Sequence, residues 1–275
     1  MSDADQQSPA LPLVPFPAPE LVERARAFRT AGVAPVPAKP SATVLLLRDR
    51  APGNGASDGD GGDPAGGVEV FMLRRRTTMA FAAGMYVFPG GVSDPRDGRC
   101  RGIDDTLVVT AIRETFEESG LLLAAGSVAD PAALEADRIA LLEHRASLGD
   151  VLERHGLTAR PGLLRPWSRW VTPDFEPRRY DTRFLVAVAP AGQDARDTGG
   201  ESDAAQWVAP AVALAALERR EWLLMPPTEV TLRELVPFRR VAEVFEAAAR
   251  RDVRPWQASI DLDADPPSFV FRSSP

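Results

Sequence analysis

The stretch Arg113-Glu-Thr-Phe-Glu-Glu-Ser-Gly-Leu121, lying downstream of Phe88-Pro-Gly-Gly91, decides the reading of this chain. It sets Glu114, Glu117 and Glu118 at offsets of zero, three and four. On an α-helix those offsets share one face, with Cβ atoms roughly 5–6 Å apart. An exposed like-charge pair at this spacing costs only ~0.2–0.5 kcal/mol. In a recessed site of effective dielectric near ~20 each pair would cost roughly 3 kcal/mol. A recessed cluster therefore needs a cation. Hard oxygen ligands suit Mg²⁺ or Mn²⁺, and Mg²⁺ is commonly held by a few carboxylates together with substrate phosphates. The flanks support a helix: Asp104 or Asp105 can cap its start, Leu107, Val108, Ala111 and Ile112 form an apolar stripe, and Gly120 can end it.

Working outward, SATVLLLR (Ser41 to Arg48) and VEVFMLR (Val68 to Arg74) are apolar, β-branched runs of strand length. The segment between them is rich in Gly and Asp; Asp58, Asp60 and Asp63 lack the closing glutamate of a calcium loop and read as a surface loop. Residues 1–40 form a Pro-rich arm around one amphipathic stretch, Glu20 to Thr30. A strand is expected at Leu121 to Ala124. Residues of about 130–157 read as a helical insertion broken at Gly149, with His144 and His155 on its solvent-facing, charged sides. Further strands lie near WVTP, RRYDTRFLVAVAP and AAQWVAP, followed by helices at Ala211 to Arg220 and Thr228 to Leu235. The expected organisation is an arm (1–40), a core domain (41–236), and a C-terminal helix and tail (237–275). The fold class is α/β, a mixed β-sheet sandwiched between α-helices.

Composition narrows the function. The 275 residues are 44% hydrophobic, enough for a real core. A single cysteine, Cys100, excludes an internal disulfide and any multi-cysteine zinc site, which points to a reducing, cytoplasmic setting. The net charge of -7 and pI near 5.1 argue against nucleic acid as a partner. No apolar run approaches the ~18 residues of a membrane span.

These motifs resemble the box of the Nudix hydrolases: Gly, five residues, Glu, seven residues, then Arg-Glu-aliphatic-any-Glu-Glu-any-Gly-aliphatic. Gly91 opens it, and Arg113, Glu114, Glu117, Glu118, Gly120 and Leu121 close it. Counting back seven residues from Arg113 puts Asp105 in the place of the first glutamate, so thirteen residues (92–104) follow Gly91 instead of five. Thr115 occupies an aliphatic position. The resemblance implies a Nudix-type fold and an enzyme that splits a small molecule in which a nucleoside diphosphate is linked to another group. It makes Glu114, Glu117 and Glu118 the ligands of Mg²⁺ or Mn²⁺, with Glu117 central to catalysis. It makes Arg113 the residue that orients a box glutamate, and Gly90 and Gly91 the points where backbone approaches metal or phosphate. Glu201, before a Trp-containing strand, resembles the loop glutamate that serves many members as general base or extra ligand. Phe71 to Gly91 is similar to the segment before the box in coenzyme A diphosphatases, a branch with peroxisomal members. There Arg75 matches, whereas Ala80 stands where a second arginine is expected. Arg74 to Arg76 and Arg178, Arg179 and Arg183 could grip phosphates as arginine forks do, with Arg75 and Arg179 the expected substrate contacts. The implied substrate is coenzyme A or an acyl derivative. ADP-ribose, dinucleotides and nucleoside triphosphates are the alternatives, and a catalytically silent ligand-binding module is the non-enzymatic one.

Overall fold

The structure, a computed structural model, describes residues 17–50, 66–79, 82–100, 102–196, 198 and 202–273. The Asp58–Asp63 loop, Ala80 and Glu201 lie outside the described residues.

The architecture grows from β1 (Lys39–Asp49). Its centre, Thr43-Val-Leu-Leu-Leu47, is an unbroken apolar run, the pattern of a strand buried on both faces. Ala42, Val44 and Leu46 point to one layer and Leu45 and Leu47 to the other. Leu45, Leu46 and Leu47 are completely buried, each contributing about 1.5–3 kcal/mol of hydrophobic stabilisation. One edge of β1 pairs in parallel with β8 (Tyr180–Val188), from Lys39 opposite Tyr180 to Leu47 opposite Val188. The other edge is shared. Its C-terminal end pairs with β2 (Val68–Arg75), while Ser41 to Thr43 pair with β4 (Gly90–Val92). The sheet continues outward through β3 (Tyr86–Val87) and β9 (Ser202–Val208) on β2, and through β7 (Leu164–Val171) on β8.

Helices cover both faces, as expected. One layer holds α2 (Thr106–Ser119), α3 (Pro131–Leu142) and α4 (Leu148–Arg154); Ile112, Phe116, Leu141 and Leu148 pack there on Val44 and Leu46. The other holds α5 (Pro210–Glu218), α6 (Pro226–Leu235) and α7 (Val241–Ala248), whose Leu214, Val230 and Val244 cover Leu45, Leu47 and Met72. The arm carries α1 (Pro19–Ala31), tied by Arg29 to Asp263 and by Arg24 to Glu176.

Three expectations change in detail. The helical insertion breaks at residues 143–147, and Gly149 sits inside α4 because Ser147 and Asp150 form a reciprocal capping box just before it. Leu121 to Leu123 are buried without strand pairing; the short strand β5 is Ala124–Ala125, opposite β6 (Thr158–Ala159). Residues 237–275 hold α7 and a hairpin of β10 (Pro255–Asp261) and β11 (Ser268–Ser273), and β10 extends the main sheet alongside β7.

Candidate active site

Asp105 caps α2, its carboxylate accepting from the Leu107 amide at 3.0 Å, and Gly120 ends the helix in the left-handed conformation (φ 74°). Thr115, unusual at an aliphatic position, is wholly buried because its hydroxyl donates to the Ala111 carbonyl at 2.7 Å. The helix is thus fixed at both ends and in its middle, with the face carrying Glu114, Glu117 and Glu118 turned toward β4.

Arg113 organises that face. Its Nη1 donates to Glu114 Oε1 at 2.8 Å and to Glu117 Oε2 at 3.1 Å. Its Nε and Nη2 donate to the two oxygens of Asp97 at 2.8 and 3.1 Å, and Nη2 also to the Val92 carbonyl. Arg113 thus contacts Asp97, Glu114 and Glu117 at once. Glu118 accepts from the Gly90 amide at 2.9 Å. A Cβ on Gly91 would overlap the Glu114 carboxylate, and one on Gly90 would overlap the Ala42 carbonyl and Thr43 of β1. Both glycines are there because the loop passes that close to strand and helix.

The electrostatics leave the cluster short of positive charge. Burial pushes the Glu114 carboxyl up to about 7, against the lowering effect of Arg113, and burial likewise raises Glu117. Burial opposes the charge on Arg113, yet its hydrogen bonds to Asp97 and the charges of Glu114 and Glu117 raise its pKa above the usual range. Glu117 Oε1 is buried without a hydrogen-bond partner among the described residues. An orphaned anionic oxygen beside two further carboxylates is the donor set a hard divalent ion accepts, so the residues fit Mg²⁺ or Mn²⁺. Among the described residues no three such side chains already form a closed ligand set. Glu114 Oε1 and Glu117 Oε2 are held instead by Arg113, and Glu118 Oε2 by the Gly90 amide, so a cation bound there would take the place of some of those contacts.

The cluster opens into a cleft of about 550 Å³ lined also by Thr43, Arg75, Tyr180, Thr182 and His144. Arg75, Gly90, Gly91, Arg113 and the three glutamates are thus brought together. Glu201 lies outside the described residues, between Thr198 and Ser202, which both line the cleft.

Other residues fall elsewhere. Arg179 is buried away from the cleft, donating to the Val36 and Thr172 carbonyls and pairing with Asp174 at 2.6 Å. It fastens the chain before β1 to the end of β7. Asp105, counted as the box acid, is a helix cap and an exposed partner of Arg183 at 2.6 Å. The acid that belongs to the box is Asp97, only 1% exposed, which grips Arg113 and accepts from Thr110 at 2.8 Å. It was legible in the sequence: five residues, 92–96, separate it from Gly91, and the extra length lies between Asp97 and α2. His155 is buried against Asp137 at 2.8 Å, whereas His144 is exposed at the mouth of the cleft.

Comparison with known proteins agrees with this geometry. The sequence profile of the NUDT19 Nudix domain matches residues 102–235. A Caenorhabditis elegans protein named as a nudix hydrolase is 28% identical over 166 residues, 60% of this chain and 55% of that protein. The human acyl-coenzyme A diphosphatase NUDT19 is 25% identical over 263 residues, 74% of this chain and 70% of that protein. The crystal structure of a Nudix hydrolase from Alicyclobacillus acidocaldarius superimposes with a TM-score of 0.64 at 30% identity, covering 77% of this chain and 96% of that one. With the glutamates of α2, the gripping arginine and the double-glycine turn in one cleft and a likeness of this extent, the chain belongs to the Nudix hydrolase family.

Proposed function

We propose that the protein is a divalent-metal-dependent hydrolase that cleaves the diphosphate of coenzyme A or an acyl-coenzyme A, giving a 4'-phosphopantetheine product and adenosine 3',5'-bisphosphate. The observation that carries the reaction class is the buried carboxylate cluster with its unsatisfied Glu117 oxygen, open to a cleft that also presents Arg75. When bound, Mg²⁺ or Mn²⁺ supplies neutralisation of diphosphate charge and a lowered pKa for water. Glu114, Glu117 and Glu118 would hold it. Arg113 and Asp97 keep those carboxylates aimed, and the close backbone at Gly90 and Gly91 leaves room for the substrate beside them. The coenzyme A assignment is supported by the likeness to NUDT19 and by Arg75. A product-chromatography screen of coenzyme A, ADP-ribose, NADH and nucleotides with each metal tests it. Efficient ADP-ribose hydrolysis with coenzyme A untouched would replace the substrate and leave the reaction class.

Two variants sharpen the test. If Arg75 reads the 3'-phosphate, Arg75→Ala lowers kcat/KM for coenzyme A by roughly tenfold or more, the weight of one charge-assisted hydrogen bond. Dephospho-coenzyme A should be hardly affected, and equal losses on both reject that role. If Glu201 is the general base, Glu201→Gln lowers kcat by roughly 10²-fold. A loss of only a few fold leaves proton abstraction to another group.

A further inference from the structure

The helical insertion does more than cover the sheet. Between α3 and α4 its tip turns back to the cleft and places Leu142 and His144 in the wall, opposite the loop that follows β4. The turn is built for this. His144 adopts the left-handed conformation (φ 57°), its amide donating to the Leu141 carbonyl at 2.8 Å. Histidine is among the few non-glycine residues that take such a conformation at modest strain. Arg96 locks the tip in place: Nη1 donates to the His144 carbonyl, while Nε and Nη2 hold Asp94 at 2.8 and 2.6 Å. The backbone is therefore clasped while the ring stays 68% exposed, with Nδ1 3.7 Å from Asp94 Oδ2.

Arg75 aside, the charged groups described in this cleft are mostly acids. Arg113 is consumed by Asp97, Glu114 and Glu117. We infer that His144 is a substrate contact: its exposed ring, beside Asp94 in the wall of the cleft, donates to a non-bridging oxygen of the bound diphosphate. An imidazole carries an N–H in either tautomer, so this exposed ring has a donor to offer an anion at the cleft mouth. The inference rests on the diphosphate reading of the cleft. It makes the insertion a contributor to substrate recognition.

The chain contains only two histidines, and the other, His155, is buried against Asp137. That makes the test direct. In the ¹⁵N-histidine-labelled protein, methylenediphosphonate with Mg²⁺, a non-hydrolysable diphosphate, should shift the ring resonances of His144 and leave those of His155 unmoved, whereas Mg²⁺ alone should move neither. His144→Ala should keep the wild-type melting temperature and Mg²⁺ requirement while kcat/KM falls roughly tenfold or more. Ring signals indifferent to saturating diphosphonate overturn the assignment, as does an equal shift with Mg²⁺ alone, which would make the ring a metal ligand. A kcat/KM within twofold of wild type overturns it too. A wild type that neither binds the diphosphonate nor hydrolyses any diphosphate overturns this inference and the functional reading together; hydrolysis indifferent to His144 removes this inference alone.

Discussion

Glu117→Gln is expected to lower divalent-dependent turnover on the order of 10³-fold, since removing a ligand charge forfeits several kcal/mol of transition-state stabilisation by the metal. Amide and carboxylate are nearly isosteric, so the loss is one of charge at an unchanged position. The fold should not suffer. Burial already disfavours the ionised form of Glu117, and a neutral group there relieves repulsion with Glu114. Without divalent ions the variant should therefore melt no lower than wild type, and the rise in melting temperature on adding Mg²⁺ should shrink or vanish. Thermal melts with and without Mg²⁺, beside steady-state kinetics at limiting metal, separate the two effects. Turnover within tenfold of wild type would remove Glu117 from the metal site.

Arg113→Ala should do the opposite to stability. The side chain is 8% exposed and contacts three carboxylates, so its removal strands Asp97, Glu114 and Glu117 without their cation. Breaking a buried pair by deleting one partner typically costs 3–5 kcal/mol, which for a chain of this size lowers the melting temperature by roughly 6–20 °C. Activity should vanish with it, and Mg²⁺ should recover part of the stability because it replaces some of the missing charge. Asp97→Asn keeps the shape but weakens the grip on Arg113, and its melting temperature should fall between the two. An Arg113→Ala protein as stable as wild type would mean that the cluster is already compensated from elsewhere.

The helix and its three glutamates were legible because offsets of three and four, an acidic cap and a terminal glycine are local properties of the chain. The sandwich was legible for a similar reason, since the unbroken run in β1 admits burial on both faces. The box acid was misplaced because a fixed count back from Arg113 assumes a loop of fixed length. What selects Asp97 is its contact with a guanidinium sixteen positions away, reached across a turn in which Asp94 and Asp97 cap each other. Arg179 failed by the same logic: charge suggests a phosphate ligand, but only the tertiary fold reveals that three protein acceptors already surround it. His155 read as solvent-facing because its neighbours are charged; the partner that allows its burial, Asp137, lies on a different helix.

The parallel pairing of β1 with β8 also bears on how the chain is made. Residues 39–47 cannot gain that neighbour until residues 180–188 exist, about 140 positions later. At a synthesis rate of ~5–20 residues per second the ribosome takes roughly 7–28 s to supply it. During that interval one edge of Thr43-Val-Leu-Leu-Leu47 is without its partner, an apolar strand of the kind that associates with other chains. The strand inside the finished sheet is thus, while the protein is being made, an apolar edge that must be kept from other chains.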